Sequence, residues 1–154
     1  MPALASRTAA ALLLAAAACT SVAVSATPAL AAPVVAPMHS AAPSVGELQS
    51  KLEVLLDTGA PRANRAAELE AGEAGLGMAD QIANVVNSVP GFHWNAAGPV
   101  NVNGDTLTHQ LQFGSPGFEG YSLELSWREI DGAWKLTRES ECQLGTYAGV
   151  PCSV

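Results

Sequence analysis

The sequence predicts an α+β fold in which N-terminal helices pack on one face of a curved four-stranded antiparallel sheet. Apolar residues recur at helical spacing as far as Val89 and at every second position from Phe92 onward. A change of hydrophobic period from 3.6 to 2 marks the passage from helix to strand. The second half is also punctuated by Asn103-Gly104 and Asp131-Gly132, dipeptides whose tolerance of positive φ suits tight hairpins.

Residues 1–31 read as a signal peptide. Met1 to Thr8 carries one fixed side-chain charge, Arg7, and an apolar run follows from Ala9 to about Val24 with Leu12, Leu13 and Leu14 at its centre. Ala29-Leu30-Ala31 gives the small-x-small pattern for cleavage before Ala32. At about 16 residues, the run is shorter than the roughly 20 that span a bilayer, so no integral membrane span is expected after cleavage. A second destination stays open. Ala16-Ala17-Ala18-Cys19 is a loose lipobox, and lipidation of Cys19 would hold the protein at the cell surface. Residues 32–43 are Pro- and Ala-rich with no Lys, Arg, Asp or Glu, the composition of a disordered spacer. His39 lies in it with no partner in the pattern.

Seven Lys and Arg face fourteen Asp and Glu, a formal charge of −7. Loss of residues 1–31 removes Arg7 and no acid, leaving six against fourteen, or −8. Such a surface repels nucleic acid and anionic membranes.

The folded domain is expected over 44–141. Ser44 and Glu47 have capping-box spacing, and Leu48, Leu52, Leu55 and Leu56 place the first helix over about 45–57. A short helical turn is expected between Pro61 and Ala71, its charges on a solvated face. Gly72, Gly75 and Gly77 read as a loop; the glycine spacing is not a nucleotide-binding fingerprint and no strand precedes it. Met78, Ile82, Val85, Val86 and Val89 form one stripe, hence a second long helix that packs by this face. Four strands follow. Phe92, Trp94 and Ala96 alternate with His93 and Asn95, and Leu107, His109, Leu111 and Phe113 with their polar neighbours. Tyr121, Leu123, Leu125 and Trp127 continue the dry face, and Trp134, Leu136 and Arg138 complete it. Short turns make this an antiparallel meander, dry on one face.

Residues 142–154 are expected to be a tail closed by a disulfide. Cys142 and Cys152 are the two cysteines left after cleavage, with nine residues between them, and export delivers them to an oxidising compartment.

In order along the chain, the signal peptide, the Pro/Ala spacer, the helix PSVGELQSKLEVLLD, the Gly-broken EAGLGMADQIA, the four-strand meander and the hairpin DGAWKLTRES resemble the C-terminal domain of the low-molecular-weight secreted antigens of mycobacteria and related actinobacteria. The resemblance covers about residues 43–141 and leaves the cysteine tail outside it. It implies a cystatin-like or nuclear-transport-factor-like sheet curved around helices, in an exported, immunogenic protein without assigned catalytic residues.

No H-E-x-x-H, G-x-S-x-G or P-loop occurs, so no metal, cofactor or catalytic set is expected. His93 and His109 fall on opposite faces of neighbouring strands, which separates them as metal ligands. A sheet of the implied kind leaves a conical cavity, which Trp94, His109, Tyr121, Trp127 and Trp134 would edge. Apolar walls with a few polar groups describe a small-molecule site; they also describe an aromatic core. The expected function is non-enzymatic: binding of a small apolar ligand, or of an envelope or host protein. The alternative is an isomerase- or hydratase-type enzyme using His109, with Asp80 reaching in from the helix.

Overall fold

Helix α1 (Val45–Leu56) begins where its capping box places it: Ser44 Oγ accepts from the Glu47 amide at 3.3 Å and Glu47 Oε2 accepts from the Ser44 amide at 2.7 Å. The computed structural model describes residues 40–154, so the signal peptide, the lipobox at Cys19, His39 and most of the spacer lie outside the described residues. Ser40 donates through both its amide and its hydroxyl to Glu129. The stripe of α1 buries Leu48, Leu52 and Leu55.

Helix α2 (Arg62–Ala67) is the short turn the sequence suggests, yet its charges do not all face water. Arg65 is 2 % exposed. Its Nε donates to the Leu55 carbonyl at 2.9 Å and one of its terminal nitrogens lies 2.6 Å from Asp80 Oδ1. The glycine segment, expected as a loop, is a 3-10 turn (Gly72–Ala74) leading into α3 (Leu76–Ser88). Gly72 takes φ of +59° but Gly75 sits at −75°, so helical geometry resumes before the stripe's first residue, Met78.

The meander is β1 (His93–Asn103), β2 (Thr106–Ser115), β3 (Phe118–Ile130) and β4 (Ala133–Leu136), paired antiparallel in that order. Asp131 and Gly132 take φ of 53° and 76°, the left-handed pair of a type I′ hairpin. Register pairs Leu107 with Trp127, His109 with Leu125, Leu111 with Leu123 and Phe113 with Tyr121. These side chains therefore share the inner face.

Strand β4 ends at Leu136, short of the alternation that would carry Arg138 onto the dry face. Thr137 instead caps a fourth helix, α4 (Arg138–Ala148). Its hydroxyl accepts from the Ser140 amide, and Ser140 Oγ accepts from the Ser126 amide at 2.7 Å, which seats the helix on β3. Helix α4 crosses the position between 141 and 142 at which the tail was expected to start, and it closes on Gly149 at φ 70°. The disulfide joins Cys142 to Cys152, Cα atoms 4.8 Å apart, as the cysteine count predicts.

Two apolar clusters result. The larger packs Leu107, Leu125, Trp127 and Leu136 of the sheet against Leu48, Leu52, Leu55, Leu69 and Leu76. The smaller holds Met78, Ile82 and Val150 between α3, α4 and the C-terminal segment. No helix among the described residues is long and apolar enough to cross a membrane.

Candidate functional site

The inner face of the sheet is covered unevenly. Toward β4, Leu69 lies opposite Leu136 in a parallel bridge, in which the Leu136 N–H donates to the Glu68 carbonyl and the Glu70 N–H donates to the Leu136 carbonyl, closing that end. Toward the β2–β3 hairpin, α1, α3 and α4 stand off and leave an open apolar cavity of about 260 Å³. Small-molecule sites run from roughly 300 Å³ upward, so it falls just below that range.

Its floor is aliphatic. Leu52 from α1, Ile82 from α3 and Leu111 from β2 are almost wholly buried there, with Val85 and Val86 above them. Its sheet wall is aromatic and centred on Phe113. Phe92 lies 6.3 Å from that ring, Tyr121 stacks on it at 5.9 Å, and Tyr147 of α4 meets it edge-on at 5.5 Å. Offset and edge-to-face pairs at these separations are the favoured aromatic arrangements. At the mouth the apolar surface reaches solvent: Phe118 is 66 %, Tyr147 58 % and Tyr121 49 % exposed. Among the described residues the lining contains no Asp, Glu, Lys, Arg or His; its hydroxyls belong to Ser115, Tyr121 and Tyr147.

Of the five residues expected to edge a cavity, Trp94 and Tyr121 line this one. His109, Trp127 and Trp134 are in the closed core, at 1 %, 0 % and 4 % exposure. His109 Nδ1 donates to the Gln110 carbonyl at 2.9 Å, which makes Nε2 the unprotonated nitrogen. Nε2 has no hydrogen-bond partner among the described residues, and the ring packs 6.1 Å from Trp127. Burial pulls the His109 pKa below its ordinary value, with the Gln110 bond opposing. Asp80 is engaged with Arg65 and, like His109, is not part of the cavity wall. Among the described residues no three His, Cys, Asp or Glu side chains form a metal-binding group.

Sequence reasoning missed Phe113 as the aromatic hub, Val85 and Val86 as cavity wall, and the whole contribution of α4. Phe113 had a signal, since it ends the dry face of β2 beside Gly114. Tyr147 had one only through α4's capping residues.

What the geometry defines is a small α+β domain with an apolar, solvent-open cavity between helices and sheet. The family described as the low molecular weight antigen MTB12, C-terminal domain, matches residues 41–152, and the chain belongs to that family. The match includes the disulfide tail, so the tail lies inside the resemblance rather than outside it. No curated protein matches the chain.

Proposed function

We propose that this is an exported, non-catalytic binding protein that carries a small apolar molecule in the cavity between α1, α3, α4 and the sheet. One observation carries the reading: a cavity walled by aliphatic and aromatic side chains stays open to solvent beside a packed apolar core. Apolar walls gathered into a concave site with a few hydroxyls are one mark of a ligand groove. Among the described residues the lining offers tyrosine and serine hydroxyls but no carboxylate or imidazole for proton transfer, which favours binding over catalysis. Export is supported by the signal-peptide pattern and by the Cys142–Cys152 disulfide, a bond that persists in oxidising compartments.

Native mass spectrometry of the protein recovered undenatured from its producer's medium tests this. The expected spectrum shows added mass that denaturation releases. Bare protein that also fails to take up an apolar fluorescent probe overturns the ligand reading and favours an envelope or host protein docking on Phe118, Tyr121 and Tyr147.

A further inference from the structure

We propose that Glu141 is a protonation latch on the cavity. With its carboxyl neutral, α4 is seated against α3 and completes the cavity wall; ionisation lifts α4 away and weakens the hold on an apolar ligand. This rests on the reading of the cavity as a ligand site.

The geometry of one joint carries the proposal. Helix α4 turns a narrow face to the start of α3, with Glu141 against Gly75 and Leu69 and, one turn on, Gly145 against Met78. The approach is close: a Cβ on Gly145 would lie 3.3 Å from Met78 Sδ. Leu144, Tyr147 and Ala148 of the same helix line the cavity together with Ile82, Val85 and Val86 of α3. The seat of α4 on α3 therefore sets where that wall stands. Ser140 pins the start of α4 to Ser126 of β3 at 2.7 Å, so the helix has one fixed end and one that can swing. Tyr147 lies six residues beyond Glu141, about 9 Å along a helix.

Glu141 is an unusual residue to find in such a joint. It is 1 % exposed, and neither oxygen accepts a hydrogen bond among the described residues, although α3 begins beside it. Charged groups stand on every element around the joint. Glu70 accepts from the Arg138 N–H and pairs with Arg128 of β3, Glu73 pairs with Arg62, and Asp80 of α3 pairs with Arg65. Only Arg138, exposed on α4 itself, acts on the Glu141 carboxyl, and burial outweighs it. A carboxylate there has lost water without gaining a donor, so the neutral form is preferred. Once ionised, it regains water only if the joint parts at Gly75. The hold of α4 is thus firmest below the ordinary 4.5 and declines as pH rises through about 7.

The test follows uptake of phenylnaphthylamine, an uncharged apolar probe, from pH 5 to pH 8 by the full chain and by Glu141→Gln. The methyl resonances of Leu144, Ile82 and Val85 are recorded in parallel. In the parent, affinity should fall about tenfold across the range as the seated fraction falls, and the three methyls should shift together with a midpoint near 7. Glu141→Gln keeps the neutral shape and should hold its pH 5 affinity throughout. His109 in the core and His93 behind Phe113 are present in both proteins, so the difference between the two reports Glu141. Equal pH dependence in both overturns the latch. Affinity that rises with pH in the parent alone also overturns it, since the ionised carboxylate would then be drawing α3 closer. Methyls that titrate while affinity stays constant overturn the coupling to the cavity and leave the ligand site standing. If neither protein takes up the probe at any pH, the ligand-site reading falls, and the latch on it falls too.

Discussion

Glu141 holds its carboxylate against Gly75: a Cβ on that glycine would lie 2.6 Å and 2.7 Å from the two carboxylate oxygens. Both oxygens are buried without a hydrogen-bond partner among the described residues. Burial pushes the Glu141 carboxyl up to about 7, against the pull of Arg138. The folded pKa thus exceeds the unfolded one, near 4.5. Between the two the native state binds more protons than the unfolded chain, so stability falls as pH rises through that window and stays lowered above it. At 1.36 kcal/mol per unit the full effect is about 3 kcal/mol.

Glu141→Gln should therefore stabilise the protein relative to the parent at pH 8 and much less at pH 5. His109 works oppositely, since its lowered pKa makes stability fall with acid below about 6.5. It is present in both proteins and cancels in their difference. Urea unfolding at the two pH values measures the effect. An equal difference at both would mean that Glu141 titrates as in the unfolded chain.

Gly75→Ala should destabilise, by roughly 1–3 kcal/mol, as overpacking does. Backbone strain is not the cause, because φ is −75°. The new methyl would meet Leu69 Cδ1 at 2.8 Å as well as the carboxylate. Combining it with Glu141→Ala should recover part of the loss in a double-mutant cycle; strict additivity would separate the two sites.

Much of this architecture was legible in the sequence because local and global signals agreed. Ser44 and Glu47 announced α1, alternation announced four strands, and Asp131-Gly132 announced a hairpin whose two residues do take positive φ. Helix α4 was hidden for a physical reason. It sends few apolar groups inward, chiefly Leu144 and Cys142, so no 3.6-residue stripe betrays it. Arg138 follows Leu136 at strand spacing. Thr137 at its N-cap and Gly149 at its C-cap were the available signals. The candidate site divides similarly. Alternation told that Trp94, His109, Tyr121, Trp127 and Trp134 share a face, but not which end of the sheet is covered. The backbone bridge from Leu69 to Leu136 decides that, shutting one end over Trp127 and leaving Trp94 and Tyr121 at the other.

Arg65 and Asp80 should respond unequally to replacement. Arg65 is buried and Asp80 about one-third exposed. Asp80→Ala leaves a guanidinium in the core with the Leu55 carbonyl but without its anion, whereas Arg65→Met leaves a carboxylate that can turn to water. Stranding a buried charge costs on the order of 3 kcal/mol or more. Asp80→Ala should therefore lower the unfolding midpoint further than Arg65→Met. The reverse order would mean that packing of the Arg65 stem outweighs its charge.

Cys142→Ser/Cys152→Ser opens a loop with nine intervening residues, and loss of that cross-link should cost roughly 2.5–3 kcal/mol in the chain-entropy description. The loss should be local before it is global. The start of α4 is still tied to β3 through Ser126, Thr137 and Ser140, while its end relies on Gly145 bonding Val150 and on Val150 packing with Met78. Hydrogen exchange should accelerate for amides from Leu144 to Val150 and stay slow at Ser126. Uniform acceleration would show that the helix undocks as one piece.

Filling the cavity separates a binding site from a packing defect. Val85 lines it from α3 and is only partly buried, so Val85→Phe can extend into open volume instead of displacing a packed neighbour. If the space were merely unfilled core, added apolar burial would raise stability and nothing else would change. If it holds a ligand, the same substitution should leave the unfolding midpoint equal or higher while uptake of an apolar probe drops by about tenfold or more, as a ring fills the volume the probe needs. The paired readout of midpoint and probe affinity distinguishes the cases, because a loss of both would report misfolding. Retained affinity with raised stability would move the binding surface away from α3, toward the aromatic rim of Phe118 and Tyr147.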